Sequence, residues 1–474
     1  MAVDSTVREA VGGDIEVAEA IITGSDTHPG ETNRGLHRAV WMLAWPSVLT
    51  MLLQTANSFT DRFFVGHLGS DALAAAGVGG QLMFLFFSIG MSIAIGTTAL
   101  VARFAGSRDH DGATVAANQS VWIAAIAAIV CVGVALPLRH ALVTMMGVDA
   151  CAGELTGRYL TVTILGVPAL FLMLILGNVY RGLGNTVTPL LVMIGVNIVH
   201  LGGDWLLIFG HFGLPRMGLT GGATALVTSQ IVGAGLYLLF LRRSPVAGLL
   251  TRKKTLELGW AKRILNIGVP AAMQNLSRVL SLLAFTSVLA RTSEATAAVA
   301  ALTIGMTSES IAFMPGFAFA TAASTLTGQN LGARNPDRAE RASWAALLQG
   351  LGVMVVMGGV FYVFATPFAH FFTHDPRVVP LAVSYLKISA LSEPLLAFGM
   401  ILTGALNGAG ATKAPAAISI VTMWGVRLPF AYLLAHSWHF GTIGAWWAMA
   451  ASTMLGGIAT FFLFRRGDWK RTIV

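Results

Sequence analysis

Asp61, His200, Asp204, Arg278, Glu309, Glu393 and Arg427 all fall inside long apolar stretches of the chain. An ionisable group at the centre of a membrane helix costs about 2.5–3.5 kcal/mol on insertion scales, so such groups mark functional positions by default. Asp61 lies 15 residues beyond Pro46, and Asp204 about 17 residues into its own apolar run. At about 1.5 Å of rise per residue, both carboxylates reach the outer half of one helical bundle. Two like charges at similar depth in a dry bundle resist joint ionisation, so one is expected to hold a proton near neutral pH. That is the chemistry of a proton or cation site that can be loaded and emptied. Asn57, one turn before Asp61, and Asn197 and His200, ahead of Asp204, extend its polar lining, and Asn57 and Gln54 are also candidates for lining a substrate cleft. A plainer reading stays open: Asp61 faces outside water at a helix end, and Asp204 caps a broken helix.

Glu309, Glu393, Arg278 and Arg427 form a second set, near the middle of their own runs. Two acids and two arginines at one depth can neutralise each other, so at least one carboxylate–guanidinium contact is expected. Those contacts serve equally well as structural ties or as a direct transport device. Gln274 and Asn275, one turn before Arg278, are further candidates for lining a substrate cleft.

The elements that position these groups must be membrane helices. The chain is 55% hydrophobic and 11% charged, with a mean hydropathy of +0.72, where a soluble domain carries about 25% charged residues. Apolar blocks of spanning length follow one another from Arg38 to Phe464. The excess of basic residues lies between the blocks, which argues for topogenic charge and against nucleic-acid binding. Two cysteines, Cys131 in an apolar run and Cys151 in a joint, make no disulfide framework. Nineteen Met and twenty-six Phe suit an adaptable apolar cleft.

The second half repeats the first. Gly106, Arg108, Tyr159, Pro168, Gly182, Gly184, Thr186 and Pro189 recur 226 residues later as Gly332, Arg334, Tyr385, Pro394, Gly408, Gly410, Thr412 and Pro415. The offset drifts to 224 at Pro46 and Pro270, and to 223 at Gly218 and Gly441. The predicted fold is all-α: twelve transmembrane helices in two six-helix lobes related by a parallel internal repeat. Predicted helices run over 39–66, 76–104, 115–138, 158–181, 187–209, 218–241, 262–290, 297–327, 342–366, 383–406, 413–436 and 441–464. The expected divisions are a disordered polar tail over 1–34, an N-lobe over 35–243, a linker over 244–261 and a C-lobe over 262–474. With the amino terminus inside, inner joints carry 20 Lys and Arg and outer joints 7. That bias predicts a multi-pass protein of the cell membrane with both termini cytoplasmic. Pro46, Pro168, Pro270, Pro315 and Pro394 lie within spans and permit kinks. Pro46 is either a hinge that answers to the charge on Asp61 or a static kink.

There is no G-x4-G-K-[ST], no H-E-x-x-H and no G-x-S-x-G in the chain, so ATP drive and the commonest hydrolytic chemistries are not expected. His370/His374 and His436/His439 have helical spacing, but solvated loop histidines are the default there. No cofactor, no resident metal and no obligatory protein partner is called for.

Residues 46–77 read P-x14-D-x2-F-V-G-H-L-G-x2-A-L-A-A-A-G, and residues 204–210 read D-W-L-L-I-F-G with Asn197 ahead of them. With the Arg181–Thr186 and Gly328–Ala333 turns, these resemble the multidrug and toxic compound extrusion (MATE) family over about residues 36 to 466. The resemblance implies cation-coupled export of bulky, often cationic amphipathic compounds by rocking of two lobes in the lipid. By position, Asp61 and Asp204 match the family's amino-lobe coupling carboxylates. His200 stands where many members carry Asn, and a protonatable imidazole is a poorer sodium ligand. One branch has a sodium-serving carboxylate on the seventh helix, where this chain offers Gln274, Asn275 and Arg278. Proton coupling is therefore expected over sodium, with sodium left open at Asp61 and Asp204.

Two other functions compete. A flippase for lipid-linked precursors needs a strongly cationic cavity for a pyrophosphate head group. Only Arg278 and Arg427 are intramembrane cations here, and two acids are expected to pair with them. A membrane-embedded enzyme needs a clustered nucleophile, base or metal-ligand set, which the spans lack.

Overall fold

The computed structural model describes residues 33–145, 150–249 and 255–472. The expected tail over 1–34 and the centre of the linker therefore lie largely outside the described residues. Twelve helical spans follow in order: α1 (Asn33–Gly66), α2 (Ser70–Gly106), α3 (His110–Met145), α4 (Ala150–Leu165 continued by Val167–Gly182), α5 (Val187–Phe209) and α6 (Leu219–Leu241). The second set is α7 (Leu258–Leu289), α8 (Ala295–Gly332), α9 (Pro336–Val363), α10 (Val379–Gly408), α11 (Lys413–Ile420 and its continuation to Ser437) and α12 (Gly441–Arg466). Nine are long and apolar enough to cross a bilayer, and the bent α4 and α8 qualify as two more. α7 completes the twelve, its apolar run diluted by Gln274, Asn275, Ser277 and Arg278.

Several helices outrun their predicted ends. α1 begins six residues earlier than expected, and α2 at Ser70 rather than 76. Polar flanks do not stop a helix, since its backbone bonds stay satisfied in water as well as in lipid. The bends have local causes. α4 turns by 46° where Gly166 and Val167 precede Pro168, and α8 by 47° between Ile311 and Phe313, ahead of Pro315. A proline ring displaces the carbonyl four residues back, which places each bend on its amino-terminal side.

Contacts divide the chain into two units, Leu49–Gly268 and Met1–Val48 with Val269–Val474. This partition cuts within α1 and α7, next to Pro46 and Pro270, rather than in the linker. In the first helix Leu36, Val40 and Leu43 fall on one face and join the core of α8, α9, α10 and α12. Conversely, the first turns of α7 pack on α2, where Gly96 meets the Ile264 carbonyl and Gly268 meets that of Ser92. The two halves of the repeat thus exchange the first turns of their leading helices.

The repeat holds at the level of contacts. Arg108 and Arg334 both take left-handed backbone, φ 57° and 58°, in the turns after α2 and α8. Each turn is closed by the next side chain: Gly112 N–H donates to Asp109 Oδ1 at 2.8 Å, and Arg338 N–H to Asn335 Oδ1 at 3.0 Å. Gly79 on α2 makes room for the Tyr159 ring of α4, and Gly305 on α8 does the same for Tyr385 of α10. Gly404 and Gly408 on α10 lie directly on the α8 backbone at Ala320 and Ser324. The chain end is pinned as well: Trp469 stacks on Phe464 at 4.7 Å, and Lys470 reaches Glu340 at 2.6 Å.

Candidate functional site

In the Leu49–Gly268 unit, α1 and α5 bring Asp61, His200 and Asp204 together, with one ligand atom from each within 4.8 Å of the others. His200 and Asp204 are one turn apart and so share a face of α5. They are 2% and 1% exposed, and His200 Nε2 stands 3.6 Å from Asp204 Oδ2. Asn57, one turn before Asp61, meets His200 Nδ1 through its Oδ1 at 2.9 Å. With that amide orientation Nδ1 carries the ring proton, and the neutral ring turns the lone pair of Nε2 toward a carboxylate oxygen. The acceptors Nε2 and Oδ2 then face each other, while Nε2 and the other carboxylate oxygen, Oδ1, are buried without a hydrogen-bond partner. One proton, or one small cation, resolves that opposition.

An apolar cluster packs around α1 in the same unit. Val65, Ala72, Ala75, Tyr159, Leu219 and Ala223 form a small buried apolar cluster, drawn from α1, α2, α4 and α6. α6 passes beside the cluster: a Cβ on Gly222 would stand in ordinary contact with Asp204 Oδ1, at 3.7 Å. Asn197 does not face the cluster through its amide nitrogen, which donates to the Met193 carbonyl of its own helix at 2.8 Å. Gln54 is exposed.

The second set sits in the other unit, and the expected ion pairs do not form. Tyr385 donates its hydroxyl to Glu309 Oε2 at 2.7 Å. Arg427 Nε donates to Ser452 Oγ at 2.9 Å and Nη2 to Thr453 Oγ1 at 3.3 Å. Arg278 lies over the Phe313 ring, 5.8 Å from its centroid. Glu393 is 1% exposed, and neither carboxylate oxygen has a partner. Among the described residues no guanidinium nitrogen of Arg278 or Arg427 is within ion-pair distance of Glu309 or Glu393. Depth along a helix does not fix direction around it. Hydroxyls of α10 and α12 reach these groups first, and α11 is π-wound over Val421–Arg427, which re-aims Arg427.

α7 and α11 are stitched beside this set. Gln274 donates to Ser419 Oγ at 2.6 Å, and Trp424 Nε1 to Ser277 Oγ at 2.8 Å. Asn275 is half-buried on α7. Tyr159, Tyr385, Ser452 and Thr453 were not among the candidate site residues. The repeat was the available signal for the tyrosines, which occupy matched positions.

The other histidine pairs do not share a helix. His374 lies beyond the helix that carries His370, and His439 has left-handed backbone after the helix that ends at Ser437. Among the described residues, Asp61, His200 and Asp204 are the one group of three or more with metal-ligand spacing.

A family model described as MatE matches residues 46–206 and 270–433, each match opening at a proline of the repeat. The chain is 28% identical over 453 residues to a probable multidrug resistance protein NorM of Thermotoga maritima, covering 94% of this chain and 96% of that protein. It is 26% identical over 447 residues to a protein of Shewanella oneidensis named FAD transporter, covering 93% and 97%. In structure it matches a MATE transporter crystallised in complex with MaD3S, with a TM-score of 0.87 and 23% identity over 96% of this chain and 99% of that one.

Proposed function

The chain belongs to the MatE family of multidrug efflux transporters, which are not enzymes, and from that premise we propose that it is a cation-coupled antiporter with protons favoured over sodium. Its proposed substrates are bulky amphipathic compounds, often cationic, a reading that the multidrug resistance in the name of its Thermotoga maritima relative supports as export of drugs. The observation that carries the coupling is the buried Asp61–His200–Asp204 cluster, whose facing acceptors call for one positive charge. A cationic substrate prefers the cluster with its negative charge intact, and a proton entering the cluster weakens that hold. Such differential affinity lets one ligand drive the other. His200 supports protons over sodium, because its Nε2 faces the Asp204 carboxylate and an imidazole nitrogen is a poorer sodium ligand than an oxygen. Pro46, beside the boundary between the units, is the proposed hinge for alternating access of the two lobes.

Efflux of a fluorescent cation from proteoliposomes tests the reading. An imposed proton gradient should drive export, and a sodium gradient at equal pH should drive less. Export that follows the sodium gradient alone overturns the choice of ion, and export under neither gradient overturns antiport.

The proposed orientation, in the cell membrane with both termini cytoplasmic, rests on the 20-to-7 distribution of Lys and Arg. A cysteine at Gly213, in the joint between α5 and α6, should react with an impermeant reagent from outside. One at Leu250 in the linker should not. The reverse pattern would invert the topology.

A further inference from the structure

The imidazole of the Asp61–His200–Asp204 cluster fits a class of ion beyond protons and sodium. Oxygen donors suit hard ions, whereas an imidazole suits Zn²⁺ and its first-row neighbours. His200 Nδ1 donates to Asn57 Oδ1 at 2.9 Å, which leaves Nε2 as the free ligand atom. An oxygen acceptor on the other ring nitrogen is the usual support of a metal-ligating histidine, since it fixes both tautomer and ring. Nε2 is buried without a hydrogen-bond partner and stands 3.6 Å from Asp204 Oδ2. Asp204 Oδ1 is buried and unpartnered too. Asp61 adds a third ligand from α1, and one ligand atom of each residue lies within 4.8 Å of the others. With bonds of about 2.0–2.2 Å, a tetrahedral ion holds its ligand atoms about 3.3–3.5 Å apart. His200 and Asp204 are nearly at that spacing, and the half-buried Asp61 has about 1.5 Å at most to close. Charge points the same way. One proton relieves the facing acceptors but leaves a net negative charge on the two carboxylates, whereas a divalent ion cancels both, and a neutral cluster costs least within a membrane. Mg²⁺ and Ca²⁺ fit poorly: they take about six or more oxygens, and the cluster offers three side-chain ligands, one of them nitrogen.

We propose that the Asp61 and Asp204 carboxylates and His200 Nε2 form a three-ligand site for Zn²⁺, or a divalent ion of its class, whose occupation excludes the coupling cation and arrests export. The ion is a regulator and not a resident. Water completes its coordination at the fourth position, as in other three-ligand zinc sites. Asn57 is the positioning residue, acting on the metal through the ring it holds. The binding rests on the geometry of the cluster; the arrest rests on the reading of the chain as an exporter driven through it.

The test is calorimetric titration of the purified, tag-free, full-length protein with Zn²⁺. It is run in a His370→Ala, His374→Ala background, since those exposed rings, 5.5 Å apart, are a second place for the metal. One Zn²⁺ per chain is expected, undisturbed by an excess of Mg²⁺. His200→Asn and Asn57→Ala should each weaken it about tenfold or more. Asn57→Ala removes no ligand, so it carries the test even where His200→Asn fails to fold. No binding, displacement by Mg²⁺, or an affinity that survives either substitution overturns the site. In proteoliposomes, Zn²⁺ should arrest proton-driven efflux of a fluorescent cation by the parent protein, while His200→Asn keeps its own rate at the same metal concentration. Equal arrest of both proteins places the inhibition elsewhere and overturns the regulatory role. Failure of the exporter reading shows separately, as a lack of gradient-driven efflux without metal while Zn²⁺ binding and its dependence on His200 persist.

Discussion

Asp61→Asn and Asp204→Asn are each expected to abolish gradient-driven export while leaving expression and folding largely intact. Asparagine keeps the shape of aspartate but can neither bind nor release a proton. Asp204 is 1% exposed, and its Oδ1 has no partner whose loss would unfold the bundle. Asp61 completes the cluster from the neighbouring helix. His200→Asn should be milder: it removes the imidazole that meets Asn57 and faces Asp204, but leaves both carboxylates. It should also shift the balance toward sodium, since an amide oxygen is a harder ligand than an imidazole. The readout is efflux from proteoliposomes under imposed proton and sodium gradients. Full proton-driven transport in the Asp61→Asn, Asp204→Asn double variant would move the coupling site to Glu309 and Glu393.

The largest effect on stability is expected at Gly408. Here α10 lies against the backbone of α8, so that a Cβ at 408 would meet the Ser324 carbonyl, and one at 404 would meet Ala320. Without a hydrophobic drive between helices in lipid, such close backbone approach is what holds a crossing together. Backbone cannot rotate aside as a flexible side chain can. Gly408→Ala should therefore cost about 3 kcal/mol or more, at the upper end of ordinary overpacking. Gly352 on α9 has nothing within 4 Å of a Cβ, and Gly352→Ala should be neutral or slightly stabilising, as alanine is the better helix former. Thermal unfolding of the two variants in one detergent decides the matter. Equal melting temperatures would show that the crossing yields more easily than its geometry implies.

Much of this architecture was legible because it is periodic or costly. The 226-residue repeat anticipated the matched turns at Arg108 and Arg334, and spanning-length apolar runs anticipated twelve helices. Asp61, His200 and Asp204 were legible because charge in lipid is expensive and rise per residue sets depth. What failed was azimuth. Glu309, Glu393, Arg278 and Arg427 share a depth, but which hydroxyl each meets depends on rotation about the helix, and in α11 on π-wound turns that no hydropathy pattern encodes. The tyrosines were visible as landmarks of the repeat, yet their bearing on the acids required Gly79 and Gly305 to be seen as the hollows that receive them. The limits of the two units also differed from the covalent halves, since a repeat marks duplicated sequence and not which turns pack together.

That reciprocal exchange has a genealogical corollary. Leu36, Val40 and Leu43 bury themselves among residues of the second repeat, while Ile264 meets residues of the first. An ancestral polypeptide of one repeat, folded on this plan, would have had no place within itself for the start of its own leading helix. Its apolar face would have found cover only on a sister copy, each monomer lending an arm and receiving one, as in a domain-swapped dimer. Fusion of the two genes would then have required no new interface, only a tether between partners that were already interlocked.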